Sequence, residues 1–362
     1  MKHRLIMFGA AMCVLLTGCV QDPTSSTPDS VPDVLEGDVL VLCEGLWRYD
    51  NSVLSHVRTS PAQLLVRDRI TSGNNGQKLG DLASDMVIRG DTMWIVVSGS
   101  RAIEKFRVST GAWMGRVSFP AGREPFRMVI VNDSVAYITN RSDDSMTELD
   151  PRTLTERVAA APTGPAPEGI AVWRTSIFVC NSGFGDLRAD EPLAGTITVY
   201  SRVDLAQTGV VDSVPNVGEI VVDVARAVLV ASYRELTSTD KDGGVVVIDP
   251  ASLKILTRVR YDGPSDLALD PLHGVVYVLH AEGVDELDLT TSATRRILSN
   301  TTSDVWYSIA YDESRDLIWV GNAKNYVTDG EVFAVQRNGT RWGSGVGVGV
   351  NPTTILLQTP KN

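Results

Sequence analysis

Residues 43–51 read Cys-Glu-Gly-Leu-Trp-Arg-Tyr-Asp-Asn, so a thiol, two acids, two aromatic rings, a guanidinium and an amide crowd one short stretch. Such a set could serve a catalytic thiol, a ligand-binding lip or an ordinary turn. Catalytic signatures are otherwise scarce. There is no H-E-x-x-H, no G-x-S-x-G and no Walker loop. Of the histidines beyond the N-terminus, His273 lies in a polar turn (Asp-Pro-Leu-His-Gly) and His280 ends an apolar run. Gly-Ser-Gly-Val-Gly-Val-Gly-Val (343–350) has the wrong glycine spacing for a dinucleotide loop and reads as a strand pressed against a neighbour. Asp-Lys-Asp-Gly-Gly (240–244) lacks the later Glu of a calcium loop and reads as a turn. Five acids, Asp85, Glu168, Glu219, Asp266 and Asp304, recur near the start of five apolar segments. They could ring a central channel, which would suit a metal-dependent enzyme.

The elements that position these residues come from the repeat. Residues 124–160 and 263–298 share one order: a Pro, an apolar strand, a polar turn and a second strand holding Tyr137 or Tyr277. A third strand follows, ending in Leu149-Asp150 or Leu287-Asp288, and then a fourth. Residues 243–259 repeat the second half around Asp249-Pro250, where Asp bonds the turn backbone and Pro fixes φ. First strands are predicted to begin near Asp85, Pro125, Pro167, Val217, Pro264, Val305 and Pro352. Four short strands every 40–50 residues or so predict an all-β, seven-bladed β-propeller. Near the N-terminus, 38–43, 51–57 and 64–70 read as second, third and fourth strands. Residues 351–358 read as the missing first strand, so the C-terminus closes the ring.

The 362-residue chain carries a formal net charge of −11, which argues against nucleic acid as a partner. Lys2 and Arg4 precede an apolar run, 5–16, too short to span a bilayer. Leu16-Thr17-Gly18-Cys19 then matches the bacterial lipobox, with Cys19 as the lipidated residue. The expected organisation is a signal peptide (1–18), a lipidated cysteine with a flexible tether (19–36) and one propeller domain (37–362). Val20 after the lipobox favours the outer membrane over the inner. Of the four cysteines, Cys43 and Cys180 remain in the domain and are expected to be buried and unpaired.

Three stretches, 41–57 (from Val-Leu-Cys-Glu-Gly), 74–117 and 124–140 (Glu-Pro-Phe-Arg onward), resemble the YncE-like seven-bladed propeller lipoproteins of Gram-negative bacteria. The likeness spans 37–358. Within that group the chain is similar to the BtuG-like surface lipoproteins that capture cobalamin for a TonB-dependent transporter. Cys43 and Leu46 stand where the family form has asparagines. The resemblance implies a non-catalytic, outer-membrane, lipid-anchored protein. It would be monomeric apart from a TonB-dependent transporter and would hold a corrinoid or other tetrapyrrole as cargo, with no cofactor used as a catalyst. An exported propeller enzyme (lactonase-like or quinone-dependent) and an envelope interaction scaffold are the alternatives.

In a propeller, the loops joining second to third strands and each blade to the next converge over the channel. Second-to-third loops place Trp47, Arg48, Tyr49, Arg101, Arg141, Asn181, Phe184, Tyr233, Arg234, His280, Asn322 and Tyr326 there. Inter-blade loops add Asn74, Asn75, Arg123, Trp306, Tyr307 and Asn351. Aromatic rings would stack on a flat ligand, while Arg and Asn would hydrogen-bond it. His280 is either a hydrogen-bonded structural residue or an axial ligand to a corrinoid or haem. Three loops are long: 184–194, 234–243 and 322–330.

Overall fold

The computed structural model describes residues 31–59, 62–235 and 243–357. The lipobox, Cys19, most of the tether and the Asp-Lys-Asp-Gly-Gly turn fall largely or wholly outside these residues, as does the centre of the 234–243 loop.

Seven sheets of four antiparallel strands form a β-propeller, as the repeat predicts. The first strands of blades 1–7 are Pro352–Leu357, Ala83–Arg89, Pro125–Asn132, Pro167–Trp173, Ile220–Asp223, Asp266–Asp270 and Val305–Asp312. Blade 1 is completed from both ends of the chain. Pro352–Leu357 pairs with Val39–Cys43, matching Val41 to Ile355 and Val39 to Leu357.

Second strands such as Thr92–Val97, Val135–Asn140 and Val275–His280 are almost wholly buried, because neighbouring blades cover both of their faces. Fourth strands lie at the rim. Lys254–Tyr261 alternates exposed and half-buried positions along most of its length, the period-two pattern of a one-sided strand. The apolar core therefore lies between blades. Phe178 and Val199 of blade 4, for example, share a cluster with Leu229 and Val246 of blade 5.

The third-to-fourth turns share one geometry. Leu154 N donates to Asp150 O, and Leu253 N to Asp249 O, both at 2.8 Å. The Asp carboxylates accept from Arg152 N (3.0 Å) and Ala251 N (2.9 Å). Both leucines adopt φ of 58°. Left-handed backbone costs a branched residue about 1–2 kcal/mol. Here each side chain packs against a core cluster, which offsets that cost.

One expected strand is partly helix. The fourth strand of blade 1 is Ala62–Val66, and Arg69–Gly73 forms a short helix. Asp68 caps it by accepting from Thr71 N at 3.1 Å. The buried Arg69 guanidinium anchors it, donating to the carbonyls of Val108 (3.2 Å) and Ser109 (2.6 Å) in blade 2. Cys43 and Cys180 are free and buried. Burial pushes the Cys43 thiol up to about 12, so it is no nucleophile. Gly343–Val350 runs within the fourth strand of blade 7, Arg341–Val350, packed on blade 1.

Candidate functional site

The first strands start at the loop-rich face, and their early residues turn toward the axis. Blade 3 places Arg127 there, and its guanidinium reaches across to Glu219 of blade 5 (Nε to Oε1, 2.9 Å) and to the Ser84 carbonyl of blade 2. Asp85, Glu168 and Asp266 are the remaining acids of this group, and Glu44 joins them from the loop after the second strand of blade 1. Burial raises all four carboxyls above their ordinary range, and the charge of Arg127 lowers each of them. Burial alone would lower Arg127 itself, but Glu219 and Asp85 more than offset this and hold it above its usual value. Four of the five sequence-predicted acids thus meet around one cation. The fifth, Asp304, lies instead in the wall of the cavity on the loop-rich side and accepts from Asn322 Nδ2 at 2.9 Å.

Arg127 and Glu219 divide the axial space. A cavity of about 530 Å³ lies on the loop-rich side, and one of about 320 Å³ lies deeper along the first strands. Both residues line both cavities.

The larger cavity gathers Arg234, His280, Trp306, Tyr307 and Tyr326 from the expected set. Tyr307 donates to Glu44 Oε2 at 2.9 Å, and its ring meets Tyr326 edge-on at 5.7 Å. Trp306 meets Phe333 edge-on at 5.5 Å, which ties one wall to the core of blade 7. His280 is 3% exposed; its Nε2 stands 3.4 Å from Asp285 Oδ1, and among the described residues neither ring nitrogen meets hydrogen-bond geometry. Arg141 lies beside this cavity. It stacks on Phe126 (4.3 Å) and Phe184 (5.0 Å) and donates to Glu124 at 2.9 Å.

Other expected residues stand apart. Trp47 and Tyr49 are 62% and 68% exposed on the blade 1 loop, outside the cavity wall, with Arg48 stacked on Trp47 at 4.1 Å. Arg101 and Asn75 are exposed turn residues with positive φ. Arg123 is held by Asp143 at 2.9 Å.

Five assignments are corrected, because their side chains are buried or bonded inside the fold rather than turned to the cavity. Asn74 bonds the carbonyls of Ile70 (2.8 Å) and Gly111 (2.9 Å), at the blade end opposite the face. Asn181 is buried against Thr196 and Thr198. Tyr233 is a fully buried core residue. Asn322 is bound to Asp304 and caps Lys324 N. Asn351 closes the ring, with Nδ2 on the Gly45 carbonyl at 3.1 Å.

Sequence reasoning missed Arg127 and Phe126. The available signal was positional. Arg127 takes the place on blade 3 that Asp85 takes on blade 2, so a lone cation interrupts the series of acids.

No family model matches the chain, and no curated protein matches it. Solved structures do. A quinonprotein alcohol dehydrogenase-like protein from Bacteroides thetaiotaomicron is similar at TM-score 0.68 and 12% identity, over 89% of this chain and 78% of that one. A chain of Kuenenia stuttgartiensis hydrazine synthase is similar at TM-score 0.61 and 15% identity, over 73% and 85%. A chain of the mitotic checkpoint complex is similar at TM-score 0.60 and 9% identity, over 96% and 89%. At such identities the likeness concerns the fold.

Proposed function

We propose that this chain is a lipid-anchored, non-catalytic binding protein of the outer membrane that captures a small ligand on its loop-rich face for delivery to a transporter. The observation that carries this reading is the cavity of about 530 Å³ bounded by Trp306, Tyr307, Tyr326, Arg234 and His280. Aromatic walls with a few directed polar groups suit a flat ligand bearing amide or phosphate substituents. The family resemblance nominates a corrinoid. The enzyme reading relied on a ring of acids as a metal seat, and here those acids surround the Arg127 guanidinium.

The test is co-elution of the purified chain with cobinamide, cobalamin or haem, followed by titration calorimetry. Saturable binding of a corrinoid is expected, weakened about tenfold or more by Tyr326→Ala, a 46% exposed ring whose loss leaves the core intact. Failure of all three tetrapyrroles to bind, with metal-dependent turnover of a lactone, would transfer the assignment to an enzyme.

A further inference from the structure

The first strands of three successive blades end on a buried aspartate that folds the following turn. Asp223 Oδ1 accepts from Arg226 N and Asp270 Oδ1 from His273 N, both at 3.0 Å; Asp312 Oδ1 accepts from Arg315 N at 3.3 Å. In each turn the second carboxylate oxygen meets the side chain three positions on. The distances are 2.9 Å to Arg226 Nη1, 2.7 Å to His273 Nδ1 and 2.8 Å to Arg315 Nη1. Blades 5 and 7 therefore give their buried carboxylate a permanent cation, while blade 6 gives it an imidazole. A buried carboxylate needs a compensating charge, and a neutral imidazole supplies none.

Blade 6 differs in a second respect. Asp316, from the matching turn of blade 7, adds a carboxylate, and ligand atoms of Asp270, His273 and Asp316 lie within 4.8 Å of one another. Each acid also accepts from a phenol: Tyr277 donates to Asp270 Oδ2 at 3.2 Å, and Tyr311 to Asp316 Oδ1 at 2.9 Å. The nearby arginines direct their hydrogen bonds to other groups, although the Arg337 charge also reaches Asp316. Arg226 bonds Asp223 and the Pro271 carbonyl, and Arg337 bonds Glu286.

We propose that Asp270, His273 and Asp316 bind a divalent first-row transition ion, which supplies at blade 6 the charge that Arg226 and Arg315 supply in the flanking blades. Two carboxylates and a neutral imidazole balance a dication. The imidazole favours zinc or cobalt over calcium or magnesium, and the two phenols play the orienting part that outer-sphere hydrogen bonds play at metal sites. The site lies at the blade end opposite the ligand cavity, so it does not depend on the capture reading.

The experiment titrates the full chain with Co²⁺, followed by its visible bands, and with Zn²⁺ by calorimetry. The expected result is one ion per chain, with Zn²⁺ displacing Co²⁺ and raising the melting temperature. His273→Arg recreates the turn of blades 5 and 7, so it should fold while weakening metal binding at least about tenfold. Asp316→Asn should weaken binding without touching the turn, and it serves as the second variant if His273→Arg misfolds. Unchanged affinity in the variants, no saturable binding, or equal affinity for Ca²⁺ would each overturn the proposal.

Discussion

Asp266 shows how a single channel residue carries both architecture and charge. Its carboxylate accepts from Leu267 N and from Ile309 N of the next blade, each at 2.8 Å. Asp85 repeats the arrangement with Met86 N (2.9 Å) and Met128 N (2.8 Å). These aspartates staple adjacent first strands together. Burial, and then the charge of Glu219, push the Asp266 carboxyl up to about 8. In the unfolded chain it titrates near 3.8, so between the two values the folded form holds a proton that the unfolded form has released. The stabilisation from that proton is complete below about 4 and lost as pH rises through about 8. Asp266→Asn keeps a carbonyl acceptor but cannot ionise. The melting temperature of the variant minus that of the wild type should therefore grow from pH 4 to pH 8 and level off above it. Parallel melting profiles over that range would refute this account of the channel.

The strand elements show which features can be read from one-dimensional pattern. The Asp-Pro and Leu-Asp pairs marked the third-to-fourth turns correctly because those contacts are local: Asp150, Asp249 and Asp288 bond backbone groups two or three residues on. Glycines 343–350 were legible as a strand but not residue by residue. Gly347 is exposed, and a Cβ there would touch nothing within 4 Å. A Cβ on Gly349 would collide with Val53 and stand 2.9 Å from Cys43 Cβ, both in blade 1. Gly347→Ala should accordingly change stability by less than about 0.5 kcal/mol. Gly349→Ala should cost about 1–3 kcal/mol through overpacking, read as a shifted urea midpoint at constant slope. Equal effects of the two would mean that the blade 7–blade 1 seam is looser than its packing implies. The asparagines misassigned to the face failed for the same underlying reason. Asn181 and Asn351 look like ligand contacts in sequence, but their partners (Thr196 with Thr198, and Gly45) are known only once the strands within each blade are paired.

At the scale of the whole molecule, the ring closure was legible because it leaves a deficit at each end of the chain: three strands without a first, and a first strand without a blade. The channel chemistry was not, because Arg127 and Glu219 are 92 residues apart and meet only when seven blades close around one axis. The same closure makes the last strand a disproportionate contributor to stability. Pro352–Leu357 lies between Val39–Cys43 and the first strands of blades 7 and 2, and Ile355 sits in the cluster that joins blades 7 and 1. Ser308 Oγ donates to the Pro352 carbonyl at 2.7 Å, and Glu44 N to the Asn351 carbonyl at 2.9 Å. Truncation after Val350 would strip these contacts and leave Val39–Cys43 as an unpaired apolar edge, a template for association between chains. The truncated chain should melt well below the full chain and form oligomers on size exclusion. A synthetic peptide of residues 351–362 should restore the monomer, because the missing strand contributes no covalent link that the ring needs. A monomeric truncated chain with an unchanged melting temperature would mean that the other six blades hold the ring without it.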